Sequence, residues 1–245
     1  MTGTAPQASD LRQLSFYASA EHPCSYLPGR QSLSLFADPT ATVTNTLYSQ
    51  LAPYGFRRSG PYLYRPACPR CDACVPVRIP VAEFHARRNH RRCVAHNQDL
   101  RVRAVEPGHY DEHFRLYRRY MAHRHSGGGM DDPDPRRYTG FLTSAWSDTR
   151  FYEFRHANEL LAVAVVDHLD DALSAVYTYY DPDCPARGLG TYAILWQIQE
   201  ARHRGYRWLY LGYWIRECAK MRYKDQFRPF EVYRGGSWQR PIPCA

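Results

Sequence analysis

The sequence predicts an α+β fold, with a small cysteine-containing N-terminal domain followed by a larger domain built on a mixed sheet. Three observations predict it. Cys24, Cys68, Cys71 and Cys74 fall in a turn-rich first part of the chain. Three strand-like runs follow one another between residues 150 and 180, and further strand patterns alternate with helical ones on both sides of them. A chain of 245 residues is long enough for one large domain or two small ones. The expected division is a disordered tail at 1–10, the cysteine-containing domain at 11–97 and the sheet domain at 98–245.

The first domain has few regular elements. Short extended pieces are expected at 32–36, 62–65 and 75–81. From Asp99 the pattern tightens: Leu100–Val105 alternates like a strand until Pro107-Gly108 breaks it. Phe114, Tyr117 and Met121 recur at helical spacing within 109–123, ahead of Gly127-Gly128-Gly129, and 135–146 reads as a second helix. Strands follow at 150–155, 160–167 and 173–180, the last two joined by a tight turn at Asp170-Asp171, so an antiparallel meander is expected. A helix over 191–203 with Gly205 at its C-cap, a strand at 207–213, a helix over 215–227 and a strand from 229 complete the order.

Charge is concentrated. The chain carries 30 arginines and only two lysines, Lys220 and Lys224, with a net charge of +8. Residues 57–103 hold eleven arginines against Asp72, Glu83 and Asp99, a balance equal to the whole excess. Such a surface attracts polyanions, phosphate backbones first among them. The longest apolar run, 160–166, is far too short to span a bilayer, and the N-terminus lacks the pattern of a signal peptide, so a cytoplasmic protein with no membrane partner is expected. Without export, the cysteines read as thiols or metal ligands rather than disulfides.

Several side chains could carry chemistry. Cys68-Pro-Arg-Cys71-Asp-Ala-Cys74, with Cys24 as a fourth sulfur, suits a structural zinc or an iron–sulfur cluster, and equally reads as reduced thiols in a tight turn. Tyr177-Thr-Tyr179-Tyr180-Asp181-Pro ends a strand on phenols and a carboxylate, where Asp181 can orient or deprotonate an amine. Arg124-His125 precedes three glycines that would let a substrate approach. On a helix, Lys220 and Lys224 share a face with Tyr223 beside them, suited to a phosphate or a terminal ribose.

The order of elements resembles the GNAT acetyltransferase fold, whose sheet opens into a V between its fourth and fifth strands. Arg187-Gly188-Leu189-Gly190 stands where that fold cradles a pyrophosphate, but Tyr192 would crowd one. The strings CSYLP (24–28), YGFRRSG (54–60), YRPACPRCDACVPVRIPV (64–81), RHSGGGM (124–130), YTYYDP (177–182), RGLGTY (187–192) and YLGYWIRECAKMRYKDQFRPFEVY (210–233) together resemble the arginyl-tRNA protein transferase superfamily. They are most similar to its bacterial branch, the aspartate/glutamate leucyltransferases. Leu27 and CPRCDAC depart from the paired-cysteine pattern of the eukaryotic branch.

The resemblance implies transfer of leucine from leucyl-tRNA to the α-amine of acceptor proteins beginning with Asp or Glu, marking them for N-degron proteolysis. No cofactor is required for the transfer. Catalytic roles would fall to Asp181 and Tyr180, substrate binding to Arg65, Arg78, Arg124, His125, Tyr179, Arg222 and Tyr223, and tRNA binding to Lys220, Lys224, Arg87, Arg88, Arg91 and Arg92. An acyl-CoA-dependent N-acyltransferase is the alternative on the same fold, and a non-catalytic RNA-binding module with a metal knuckle is the third reading.

Overall fold

The computed structural model describes residues 14–124 and 134–241; the tail expected at 1–10 and His125 lie outside them. In chain order the elements are β1 (Phe16–Ala18), β2 (His22–Pro23), β3 (Gln31–Ser32), β4 (Ser34–Ala37), α1 (Asn45–Leu51), β5 (Arg57–Ser59), β6 (Tyr62–Pro66), β7 (Val75–Pro80), α2 (Arg88–Ala95) and β8 (Leu100–Val105). There follow α3 (Asp111–Arg124), α4 (Pro135–Leu142), β9 (Thr149–His156), β10 (Glu159–His168), β11 (Ala172–Tyr180), α5 (Leu189–His203), β12 (Trp208–Trp214), α6 (Ala219–Arg222), β13 (Glu231–Arg234) and β14 (Ser237–Gln239).

Eight strands form one mixed sheet in the order β14-β13-β7-β12-β11-β10-β9-β8, so the expected α+β class and mixed sheet are present. β10 is its spine. All but one of its ten residues are buried, which requires cover on both faces. Strand alternation divides the load: Val163 and Val165 pack with Leu116 and Tyr117 of α3 and Tyr138 and Leu142 of α4. Ala162, Ala164 and Val166 pack on the opposite side with Ala193, Ile194 and Ile198 of α5. A smaller sheet, β1-β4-β6-β5, carries a third core around Tyr48, Leu51, Phe56 and Leu63.

β7 crosses the division expected at 97. Its alternate residues Val75, Val77 and Ile79 are buried, and the strand lies between β12 and β13 in the large sheet. Alternation gives β7 one apolar face to bury, and both its edges are paired by strands from the second part of the chain.

Two expectations need correction, and the last expected strand gains a partner. The helix over 215–227 is instead a turn, the short α6 and a 3-10 turn over Tyr223–Gln226, because its buried positions, Ile215, Lys224 and Phe227, have no helical spacing. The second helix stops at Leu142, where Thr143 caps it and Trp146 leaves to donate its indole N–H to the Pro61 carbonyl at 3.1 Å. The final strand returns as β14, through Gly235 and Gly236 at φ 56° and 81°, the left-handed pair that a tight hairpin turn needs.

Candidate active site at the opening of the sheet

β11 and β12 run parallel but pair only from Ala172↔Trp208 to Ser174↔Tyr210. Beyond that point they separate. Two irregularities drive them apart: the β10–β11 register shifts so that Val176 is left over, and the β12–β7 register shifts between Tyr210 and Tyr213. The opening that results is lined by the C-terminal half of β11, by β12 and by the 3-10 turn after α6.

The mouth of this opening holds the expected strand end. Asp181 is buried, and its Oδ1 accepts from the Arg119 guanidinium at 2.8 Å and from the Asp183 backbone N–H at 2.9 Å. Arg119 reaches on to Asp183 Oδ2 at 2.7 Å. The Tyr180 ring stands edge-on to Tyr120, 4.9 Å between centroids, and covers Gly190 so closely that a Cβ there would lie 3.0 Å from it. Burial pushes the Tyr120 phenol above its usual range, and its oxygen accepts from the Arg124 guanidinium beside it. Tyr223 is 37% exposed at the same mouth.

Tyr179 is different from its neighbour. It is fully buried, with its hydroxyl 2.7 Å from that of Tyr138, so it belongs to the core under α3 and α4 and not to a substrate surface. The arginines expected to meet an acidic side chain are also engaged. Arg78 pairs with Glu231 at 2.8 Å and lies between the Trp208 and Trp238 rings. Arg65 donates to the Tyr54 carbonyl and stacks over Phe56. Arg222 is exposed.

The two lysines do not share a face. Lys220 is exposed on α6, whereas Lys224 is 5% exposed and donates to the Tyr213 carbonyl at 2.6 Å. Burial, and then the Arg57 charge, pull its ammonium down to about 7. Arg57 is buried beside it and donates to the Ala175 carbonyl at 2.7 Å.

Arg87, Arg88, Arg91 and Arg92 are exposed on and just before α2. That helix packs beside the start of α5, where the Cys93 thiol donates to the Arg187 and Gly188 carbonyls. Arg187 is bound in a fork to Asp99, at 2.8 and 2.7 Å, so the loop at 187–190 is latched from within. Tyr192, in the first turn of α5, packs edge-on against Phe154 of the sheet.

Cys24, Cys68, Cys71 and Cys74 line one cavity of about 140 Å³. Burial and the neighbouring thiols Cys24, Cys68, Cys71 and Cys218 push Cys74 up to about 12. Backbone N–H groups of Leu27 and Leu33 point at Cys24 and Cys68 sulfur, each at 3.4 Å. These cysteines are free thiols, and among the described residues no three His, Cys, Asp or Glu side chains are grouped to hold a metal ion.

Arg57, Arg119 and Tyr120 were not singled out from the sequence. Arg119 sits 62 positions before its partner Asp181, and no local spacing announces such a pair. Arg57 stood in the string YGFRRSG, where two adjacent arginines opening a strand were a signal that at least one turns inward.

A half-committed carboxylate, a group of phenols and exposed arginines stand together at the edge of the sheet's opening. The arginine-tRNA-protein transferase C-terminal family model matches residues 112–234, and the N-terminal model of the same family matches residues 22–92. The chain belongs to this family and is an aminoacyl-tRNA protein transferase. It is 50% identical over 232 residues to an aspartate/glutamate leucyltransferase of Alcanivorax borkumensis, covering 94% of this chain and 96% of that one. The enzyme of the same name from Alkalilimnicola ehrlichii is 50% identical over 93% of this chain and 96% of its own. That of Pseudomonas fluorescens is 49% identical over 94% and 98%.

Proposed function

We propose that this chain transfers leucine from leucyl-tRNA to the α-amine of proteins beginning with Asp or Glu, marking them for N-degron proteolysis in the cytoplasm. The observation that carries this reading over an acyl-CoA transferase is the covered start of α5. Tyr180 lies against Gly190, and Cys93 against Gly188, where a pyrophosphate would need bare backbone N–H groups. In its GNAT-like aspect, the opening between β11 and β12 still offers a cleft in which an acyl group can change partners. Among the described residues no helix is long and apolar enough to cross a membrane.

The chemistry asks little of the protein beyond alignment. The amine nitrogen attacks the ester carbonyl carbon, a C–N bond forms, and the C–O bond to the terminal ribose breaks. The amine gives up a proton, the departing ribose oxygen takes one, and tRNA leaves with a free hydroxyl. An aminoacyl ester is already activated, which is why no nucleophile is needed.

Asp181 has one oxygen committed to Arg119 and Asp183, so in place of the amine that it was expected to orient or deprotonate we assign it a hydroxyl of the terminal ribose, held through Oδ2. The Tyr180 phenol, neighboured by Tyr120 and Tyr223, steadies the tetrahedral oxyanion. Arg124 and Arg222 flank the mouth, and Lys220 with Arg87, Arg88, Arg91 and Arg92 extends a basic path for the tRNA backbone. Transfer requires no cofactor. Cys24, Cys68, Cys71 and Cys74 share one cavity but are not grouped to hold a metal ion, so a structural zinc or iron–sulfur cluster there would require the four sulfurs to draw together, which metal analysis of anaerobically purified protein tests separately.

The deciding experiment offers radiolabelled leucyl-tRNA and arginyl-tRNA with peptides beginning Asp, Glu, Lys or Ala. Label moving from leucyl-tRNA to the Asp and Glu peptides alone is the expected result. No transfer from either tRNA overturns the reading and brings the acyl-CoA transferase forward.

A further inference from the structure

Two buried cations stand at the inner end of the opening, one bonded to each diverging strand. Arg57 satisfies the Ala175 carbonyl of β11, the first acceptor beyond the last paired residue, Ser174. Lys224 satisfies the Tyr213 carbonyl of β12. They meet at Gly212, whose φ of 75° suits only glycine. A Cβ there would lie 3.8 Å from Arg57 Nε, 3.9 Å from its Nη2 and 3.9 Å from Lys224 Nζ.

Among the described residues neither cation has a carboxylate partner, and Arg57 Nη1 is buried with no hydrogen-bond partner at all. The adjacent residue gives the contrast: Arg58, equally buried, is held by both oxygens of Asp167 at 2.8 Å. A buried guanidinium left with an unused N–H beside an ammonium is a carboxylate site lacking its carboxylate.

We propose that Arg57 and Lys224 are the receptor for the side-chain carboxylate of the acceptor's N-terminal Asp or Glu. The inference rests on the transfer reading above and deepens it by naming what selects the acid. Of the other candidates, Arg65 and Arg78 are committed to internal partners, and Arg222 is exposed rather than buried beside the diverging strands. Length also agrees. Six residue steps take the chain from Ala175 to Asp181, just past the end of β11, roughly 20 Å of strand. A ribose hydroxyl on Asp181, the ester carbonyl, the attacking amine and its own carboxylate fill about that distance when set end to end between two hydrogen bonds. The acceptor residue thus lies at the inner end and the tRNA end at the mouth, with the reacting atoms between them beside Val176 and Tyr177.

The test measures binding of peptides beginning Asp and Asn to the full chain by calorimetry, for the wild type, R57Q and K224M, with leucyl transfer assayed in parallel. The wild type should bind the Asp peptide at least tenfold more tightly than the Asn peptide. R57Q and K224M should bind both alike, with KM for the Asp peptide raised at least tenfold and KM for leucyl-tRNA unchanged. A wild type with no preference overturns the proposal, as do folded variants that keep the preference. Lys224→Met retains the aliphatic stem, so it decides the matter alone if R57Q does not fold. Preference lost in the variants together with no transfer by the wild type would leave the receptor standing and overturn the transfer reading instead.

Discussion

Arg57 and Arg58 are neighbours on one short strand, equally buried, yet they end in opposite situations. Arg58 is closed off: Asp167 holds it through two hydrogen bonds, the Gly60 and Leu142 carbonyls take others, and Thr149 braces Asp167 at 2.7 Å. Arg57 is left open, with one nitrogen unpartnered and a lysine for company. A charge that the fold completes from its own residues serves stability, while one that it leaves incomplete at a cleft serves a ligand. The same division separates Glu153, ringed by Arg103, Arg155 and His113, from Asp181, half committed at the mouth.

Four measurements can break or sharpen that contrast. The largest effect is expected from Asp167→Asn. Both partners are inaccessible to solvent, and stranding Arg58 should cost about 3–5 kcal/mol of stability, read from urea unfolding. A loss below about 1 kcal/mol would remove the distinction between closed and open sites. Next, Asp181→Asn should lower the transfer rate on the order of 100-fold while leaving the unfolding midpoint within a few degrees. A large fall in stability with little change in rate would return Asp181 to the structural class.

Acid should weaken the closed site at Glu153. Burial alone would raise this carboxyl, but hydrogen bonds from Arg103, Arg155 and His113 outweigh it and hold the group down to about 2. Its folded value lies below its unfolded one. The stabilisation is therefore fully present above the ordinary glutamate range and drains away as pH falls from about 4.5 towards 2, on the order of 2 kcal/mol in all. Glu153→Gln should flatten that part of the stability–pH curve, and an unchanged curve would deny the site its role. The smallest effect belongs to the exposed arginines of α2. Replacing Arg88 or Arg91 by alanine should weaken tRNA binding a few-fold and reduce the slope of log K against log salt by about one for each phosphate no longer neutralised. An unchanged slope would place the tRNA elsewhere.

What could be read from the sequence follows from how local its causes are. β9, β10 and β11 were legible because β10 is a continuous apolar run flanked by alternating neighbours and turn residues. α5 was legible because Gly205 ends it just where the apolar spacing stops. Residues 215–227 were misread as a helix because an inward-turned lysine looks in sequence like an exposed one, and the carbonyl that draws Lys224 inward belongs to β12. At the site, the mouth was legible in Tyr180-Asp181, since a strand end with phenols and a carboxylate advertises itself. Its partners Arg119 and Tyr120 come from α3, and only the folded sheet brings them there.

β7 carries a consequence for how the chain is made. It ends at Pro80, whereas its sheet neighbours β12 and β13 begin at Trp208 and Glu231. During synthesis this apolar strand emerges first and waits with both edges bare until nearly the whole chain has left the ribosome. A piece cut at the boundary near 97 would lose the strand that bridges β12 to β13, leaving β13 and β14 without their neighbour in the large sheet. Nascent-chain protection, and not catalysis, is where the cost of that arrangement should appear.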